Sequence, residues 1–222
     1  MQIPWPDIDT VLLDMDGTLL DLHFDNYFWT EHLPKRYAEA HKVSETEATQ
    51  VLKEHIKVHE GTLNWYCLEH WSTSLQLDIR ELKEEVKHKI KIRPFAVEFL
   101  QQLKKENKKL ILITNAHPQS LSLKLDITEI DQWLDIIISS HEFNHPKEDQ
   151  EFWSRLQQHE HFDPARTLFI DDTVRILESA QQFGIQHLLC IHQPDSKINR
   201  PTIEEFPAIH HFDEIFINSE LQ

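Results

Sequence analysis

Five short runs of consecutive apolar residues, rich in leucine and isoleucine, stand out along the chain. They are Thr10–Asp14, Lys109–Thr114, Leu134–Ser139, Thr167–Asp171 and His187–Ile191. Each run has the length of a single strand, and none alternates between apolar and polar positions. Such runs are typical of parallel strands that are buried on both faces. The pattern therefore predicts a parallel sheet that is covered by helices on both sides.

Helical segments accompany the last four of these strands. Their apolar residues recur three and four positions apart, and three of the segments begin with proline, which the first turn of a helix tolerates. The predicted helices are Pro94–Glu106, Pro118–Glu129, Pro146–His159 and Thr173–Phe183. Gly184 follows the last of them in the position of a C-terminal cap. Alternating strands and helices predict an α/β fold with a doubly wound parallel sheet.

The interval between the first two strands is too long for one crossover helix. Its composition favours several helices, which we predict at Phe24–Ala40, Ser44–His59, Leu63–Leu75 and Ile79–Ile90. Ser44 and Glu47 have the spacing of a capping box. We therefore expect an α/β core domain of residues 1–21 and 93–222, and an inserted helical cap domain of residues 22–92.

Polar residues follow several predicted strands at one edge of the sheet. The first strand runs into Asp14-Met15-Asp16-Gly17-Thr18, the second into Thr114-Asn115 and the fourth into Asp171-Asp172. Lys147 lies at the start of the helix predicted after the third strand. Ligands of open parallel sheets bind beyond the carboxyl ends of the strands, so we expect these side chains to converge there.

These residue types point to phosphoryl transfer. Several neighbouring carboxylates need a cation, and their oxygen atoms suit Mg²⁺. Asp14 is expected to attack phosphorus as a nucleophile, and Asp16 to serve as the general acid and base. Lys147 would offset negative charge in the site. The expected phosphate-binding residues are Gly17, Thr18, Thr114, Asn115 and Lys147.

In this order, Asp14-Met15-Asp16-Gly17-Thr18, Thr114, Lys147 and Asp171-Asp172 resemble the four motifs of the haloacid dehalogenase-like (HAD) phosphohydrolase superfamily. The long insertion after the first motif resembles the helical type-one cap of that superfamily. The resemblance implies that Asp14 and Asp172 bind Mg²⁺, and that Asp16 binds it through the backbone carbonyl. Asp171 stands where many members have glycine, and would either ligate the metal directly or accept a hydrogen bond from metal-bound water.

Five segments are similar to the bacterial GMP/IMP nucleotidase branch of that superfamily: DMDGTLLDLHFDNYFW, TLNWYCLEHWS, ITNAHP, PKEDQ and TLFIDD. This resemblance implies hydrolysis of purine nucleoside 5′-monophosphates through an aspartyl-phosphate intermediate. In the cap, Asn64 and Trp65 are candidates for substrate contacts. Helically spaced aromatic residues such as Trp65, Tyr66 and Trp71 nevertheless belong more often to a core.

Other interpretations stay open at this point. A phosphatase or phosphomutase for a sugar phosphate or phosphoglycolate would use the same core with a different cap pocket. A non-catalytic phosphate-binding module would keep the fold, although every expected catalytic position is filled here. Locally, Lys147 fits an ordinary solvated lysine, and Asp172 fits the N-cap of the following helix.

Composition narrows the range of partners. The formal net charge of −16 disfavours nucleic acid polymers and anionic membranes. The N-terminus lacks a signal-peptide pattern, and no apolar run reaches transmembrane length. Cys67 and Cys190 lie far apart and indicate free thiols. We expect a cytoplasmic enzyme that acts on a small phosphate ester.

Overall fold

The computed structural model describes residues 3–217, and its centre is one six-stranded parallel sheet. The strand order is β3-β2-β1-β4-β5-β6. The strands are β1 (Thr10–Leu13), β2 (Lys109–Thr114), β3 (Ile136–Ser139), β4 (Thr167–Asp171), β5 (His187–Ile191) and β6 (Ala208–Ile209). The predicted doubly wound α/β fold is confirmed, and the two-residue β6 extends the sheet beyond the five predicted strands.

Successive side chains of each strand pack on opposite faces of the sheet, because neighbouring strand residues point in opposite directions. Val11 and Leu13 share one buried cluster with residues of α7 (Ala96–Lys105) and α8 (Pro118–Thr128). Leu12 belongs to the other cluster, with residues of α9 (Gln150–His159) and α10 (Val174–Phe183). This double burial explains why the strand sequences show no polar alternation.

The interval between β1 and β2 is helical, as expected. Its helices are α1 (His23–Tyr27), α2 (Leu33–His41), α3 (Glu45–His59), α4 (Leu63–Tyr66), α5 (Leu68–Leu75) and α6 (Ile79–Glu85). A π-helical turn over Phe28–His32 joins α1 to α2. The predicted helix Leu63–Leu75 is two helices, because Cys67 has an extended backbone with ψ of 113°. Ser44 caps α3 by accepting a hydrogen bond from the Glu47 N–H at 3.2 Å.

Two helix starts differ from prediction near the polar edge of the sheet. The helix predicted from Pro146 begins at Gln150, because the Asp149 carboxylate caps it by accepting from the Glu151 N–H at 3.0 Å. Lys147 therefore lies in the preceding turn, and its expected place at a helix start was wrong. The N-cap of α10 is Thr173, so Asp172 does not occupy the capping position considered for it.

The two chain segments that connect the helical insertion to the sheet run side by side. The Asp21 N–H donates to the Lys91 carbonyl at 2.9 Å, and the Arg93 N–H donates to the Leu19 carbonyl at 2.9 Å. The division into a core and a cap of residues 22–92 places both boundaries in this paired stretch, and it stays our proposal.

The last described residues pack against the core, as expected for Asp213–Ile217. Phe212 stacks on Phe99 of α7 with ring centroids 4.8 Å apart, and Ile215 and Ile217 are buried. Cys67 and Cys190 are free thiols. Within residues 3–217, every helix falls short of the length and apolar character that a membrane crossing requires.

Two glycines with positive φ allow a matched stability test. Gly17 has a φ of 88°, and a Cβ atom there would lie 2.7 Å from the Asp172 carboxyl group and 2.9 Å from Pro194 Cβ. Gly184 has a φ of 110°, and a Cβ atom there would meet no atom of the described residues within 4 Å. Alanine costs about 1 kcal/mol in either left-handed backbone, whereas only position 17 adds a steric clash.

We therefore expect Gly184→Ala to lower the free energy of unfolding by about 1 kcal/mol and Gly17→Ala by about 2 to 4 kcal/mol. Urea titrations of the two variants and the parent protein would measure this difference. If both variants lost the same free energy of unfolding, the turn at Gly17 would accommodate the added Cβ atom without a steric penalty.

Candidate active site

A cavity of about 280 Å³ lies between the carboxyl ends of the central strands and the helical insertion. Residues of the sheet edge form its floor, among them Asp14, Asp16, Thr114, Asn115, Lys147, Asp171 and Asp172. Residues of the insertion form its roof, among them Asp25, Asn26, Trp29, Trp65, Tyr66, Leu68 and Lys83. The volume is just below the lower limit of about 300 Å³ for small-molecule sites, and the cavity brings most of the predicted site residues together.

Strand register places two carboxylates side by side at the floor of the cavity. Leu13 of β1 pairs with Ile170 of β4, and the Asp14 N–H donates to the Ile170 carbonyl at 3.0 Å. Asp14 and Asp171, each one residue farther along, are therefore neighbours across the two strands. This is also where the strand order reverses direction, the position at which open α/β sheets bind ligands.

The Lys147 ammonium group lies between these two carboxylates. Its Nζ donates to Asp14 Oδ1 at 2.6 Å and to Asp171 Oδ2 at 2.7 Å, and the side chain is 1% exposed. Burial disfavours the charged ammonium, but the two carboxylates outweigh burial and raise the pKa of Lys147. The lysine is therefore a buried cation, and the solvated alternative does not apply.

Neighbouring polar groups hold the turn that carries Lys147. Its backbone N–H donates to Asn115 Oδ1 at 2.9 Å, and its carbonyl accepts from Trp153 Nε1 at 2.9 Å. The other end of the Asn115 amide donates to Glu148 Oε2 at 3.0 Å. Asn115 therefore uses both ends of its amide to orient the lysine turn.

Three carboxyl groups form a compact donor set beside the lysine. Oxygen atoms of Asp14, Asp171 and Asp172 all lie within 4.8 Å of one another. Asp14 Oδ2 is buried and has no hydrogen-bond partner in the described structure. Burial raises the pKa of Asp14 to about 7, of Asp171 to about 6 and of Asp172 to about 7, and neighbouring carboxylates add to each shift. Hard oxygen donors that need neutralisation fit a divalent cation.

Asp16 is held apart from this donor set. Its Oδ1 accepts from Lys124 Nζ at 2.6 Å, and its side chain is 21% exposed and lines the cavity. Lys124 also donates to Asp25 Oδ2 at 2.6 Å, and Lys83 donates to Asp25 Oδ1 at 2.7 Å. The two aspartates of the first motif thus face two different lysines.

Sequence reasoning missed Lys83, Lys124 and the role of Asp25. Lys124 lies on the buried side of α8 with Ser120 and Leu121. The sequence signal was the spacing of three residues between Leu121 and Lys124, which places both side chains on the same side of a helix. That spacing alone does not predict a buried lysine, because long charged side chains usually extend to the solvent.

Of the remaining predicted phosphate-binding residues, Thr114 faces the cavity and Thr18 does not line it. Thr114 Oγ1 accepts from the Ala116 N–H at 3.0 Å, so its hydroxyl hydrogen is free to donate. Thr18 is fully buried, and its hydroxyl has no partner in the described structure. Gly17 forms the tight turn beside Asp172.

The cap candidates occupy different environments. Trp65 lines the cavity and stacks on Trp29 with ring centroids 6.1 Å apart and planes at 16°. Asn64 is exposed and does not line the cavity. Trp71 is 0% exposed and donates to the Trp65 carbonyl at 2.8 Å, as a core residue would. Tyr66 lines the cavity and donates to Glu148 Oε1 at 3.2 Å.

Comparison with curated proteins finds relatives that extend over nearly the whole chain. GMP/IMP nucleotidase YrfG of Escherichia coli is 42% identical over 212 residues, which cover 96% of each chain. A phosphorylated carbohydrates phosphatase of Thermotoga maritima is 23% identical over 193 residues, which cover 82% of this chain and 84% of the relative.

A solved structure, a HAD phosphatase from Thermococcus onnurineus, superposes with a TM-score of 0.74 at 20% identity. The match covers 91% of this chain and 93% of that one, and shows the same fold. Residues 8–184 match the family model described as haloacid dehalogenase-like hydrolase. The family model and the 42% identity agree with the aspartates, threonine and lysine at the sheet edge, and the chain therefore belongs to the haloacid dehalogenase-like hydrolase family.

Proposed function

We propose that this hydrolase removes phosphate from purine nucleoside 5′-monophosphates such as GMP and IMP. The observation that carries the chemistry is Asp14 at the cavity floor, whose Oδ1 is bound by buried Lys147 while Oδ2 has no hydrogen-bond partner among residues 3–217. The nucleotide is suggested by the extent of identity with the Escherichia coli nucleotidase.

In the proposed reaction Asp14 Oδ2 attacks phosphorus and the bond from phosphorus to the ester oxygen breaks. Asp16 gives its proton to that oxygen, which leaves as the nucleoside hydroxyl. Asp16 then takes a proton from water, and the water oxygen attacks the aspartyl-phosphate. The bond from phosphorus to Asp14 breaks, which frees phosphate and restores both residues.

The other residues of the site stabilise charge during these steps. Lys147 offsets the charge of Asp14 and the phosphoryl group, and the Thr114 hydroxyl is free to donate to a phosphoryl oxygen. Asp14 and Asp172 would hold Mg²⁺, with the Asp16 carbonyl and Asp171 as further candidates. When bound, the ion would supply positive charge to phosphoryl oxygens.

For the base we propose contact with Trp65, whose ring lines the roof of the cavity and stacks on Trp29. Aromatic faces bind bases by stacking. Asn64 is the weaker candidate, because it does not line the cavity. An aromatic roof also favours a nucleoside over the sugar phosphate considered from the sequence, which would leave these rings unused.

The partner that we propose is thus a small phosphate ester. A cytoplasmic location is our further inference from the free thiols Cys67 and Cys190, since disulfides are rare in that compartment.

Asp14→Asn tests the nucleophile. The amide keeps the size of the side chain but is a poor nucleophile, so we expect phosphate release from GMP to fall by at least about 10³-fold. Release would be measured at saturating Mg²⁺, and near-UV circular dichroism would verify packing. Turnover within tenfold of the parent enzyme would remove Asp14 from this role.

Asp172→Asn tests the metal assignment. Loss of one carboxylate ligand should raise the dissociation constant for Mg²⁺ by about 10-fold to 100-fold, as titration calorimetry would measure. Asp163→Asn is the matched control, because Asp163 is an exposed helix cap outside the cavity lining. Unchanged affinity in Asp172→Asn would contradict the assignment.

Trp65→Ala tests the base contact. Loss of one stacking partner should raise KM for GMP by about tenfold. The KM for ribose 5-phosphate, which has no base, should stay within about twofold. The backbone carbonyl that accepts from Trp71 is kept, so the cap core is preserved. Equal increases for both substrates would instead indicate a general effect on the cap.

A further inference from the structure

We propose that Lys124 is a positioning residue for Asp16, and that Asp25 of the cap, which accepts a hydrogen bond from Lys124, helps to hold it in place. Lys124 would fix one carboxyl oxygen of Asp16 so that the other faces the ester oxygen of the substrate. This inference rests on the proposed function, in which Asp16 transfers the proton to the leaving group.

Lys124 is built into a chain of alternating charges, with both lysines buried, that runs from the core into the helical insertion. The chain consists of Asp16, Lys124, Asp25 and Lys83, joined by contacts of 2.6, 2.6 and 2.7 Å. Lys124 is 2% exposed and Lys83 is 3% exposed. When Asp16 and Asp25 are both ionised, two ammonium groups face two carboxylates and the chain is neutral as a whole, which lowers the cost of burying it.

The contact with Lys124 uses only one of the two carboxyl oxygens of Asp16. Lys124 binds Oδ1, whereas the partly exposed carboxyl group lines the cavity in which a substrate would lie. The carboxyl group of an aspartate rotates easily about the Cβ–Cγ bond, so an unrestrained side chain would sample many orientations. Misplacement of a reacting group by about 1 Å can lower the reaction rate by about 100-fold. A single contact that fixes the Asp16 carboxyl group can therefore have a large effect on the rate.

The helical insertion supplies the other half of the chain. Asp25 lies on α1 and Lys83 on α6, whereas Asp16 and Lys124 belong to the sheet edge and α8. Phe24 of α1 also packs near both ammonium groups, at 5.3 Å from Lys124 Nζ and 5.0 Å from Lys83 Nζ. The insertion therefore adds a second carboxylate and an aromatic ring to the contacts of Lys124, beside its direct contact with Asp16.

Lys83 offers a matched control for Lys124. Both lysines are buried, both donate to Asp25, and removal of either leaves Asp25 one ammonium partner. Lys124 also binds Asp16, a contact that Lys83 does not make. A comparison of Lys124→Met with Lys83→Met therefore isolates that contact from the general cost of removing a buried lysine.

The test compares GMP with guanosine 5′-S-phosphorothiolate, in which sulfur replaces the bridging oxygen. The two esters share the base, the ribose and the phosphoryl group. An alkoxide needs a proton as it leaves, whereas a thiolate leaves without one. Because both esters give the same aspartyl-phosphate, the comparison uses the first step alone, measured as release of the nucleoside in a single turnover. Loss of proton transfer to the leaving group should slow this step for GMP alone, while loss of folding, phosphate binding or metal binding should slow it for both esters.

We expect Lys124→Met to lower the single-turnover rate of guanosine release from GMP by about 30-fold to 100-fold, and the rate of thiol release from the sulfur ester by less than about threefold. Lys83→Met should change both values by the same factor. Lys124→Gln, which keeps a donor without the charge, should recover part of the activity toward GMP.

Equal losses in the first step on both esters in Lys124→Met and in folded Lys124→Gln would overturn the proposal, as would unchanged single-turnover release of guanosine from GMP in both variants. Thermal unfolding would verify that the Gln variant is folded. Failure of the proposed function would be seen separately, because the parent enzyme itself would then release no phosphate from GMP.

Discussion

The arrangement of the site depends on burying one ammonium group between two carboxylates at the edge of a parallel sheet. Lys147 contacts Asp14 and Asp171 at 2.6 and 2.7 Å, and all three side chains are nearly inaccessible to solvent. Removing one partner from such a group costs about 3 to 5 kcal/mol, because a buried charge loses its compensation. Strand register, the Asn115 amide and the Trp153 indole all serve to keep this contact in place.

A second lysine gives the two aspartates of the first motif separate environments. Asp14 is bound by Lys147 in the core, whereas Asp16 is bound by Lys124 and thereby connected to Asp25 of the insertion. The tight turn at Gly17 follows directly and leads the chain toward the insertion. The nucleophile that we propose, Asp14, needs a fixed position in the floor, and the proposed proton donor, Asp16, needs a place beside the insertion that covers the cavity. The separation of the two lysines satisfies both requirements.

The sequence predicts the features that neighbouring residues determine. It predicts fewer of the features that depend on contacts between distant segments. Continuous apolar runs identify β1 to β5, and the aspartates, Thr114 and Lys147 follow from their places near the strand ends. The helix α9 begins after Asp149, which caps it, whereas Pro146 suggests an earlier start. Lys124 could not be assigned, because its burial is caused by Asp16 and Asp25, which lie about a hundred residues away in sequence. The short strand β6 exists only through pairing with β5.

The charge balance of the cavity explains how a strongly acidic chain can accept a phosphate ester. Five aspartates and three lysines line the cavity, so it carries two excess negative charges when all of them are ionised. One Mg²⁺ ion would balance these charges, and the phosphoryl group would then enter a neutral site with three ammonium groups nearby. Without the ion, the same carboxylates repel a phosphate dianion. The net charge of −16 therefore does not oppose the proposed substrate, because local neutralisation decides its binding.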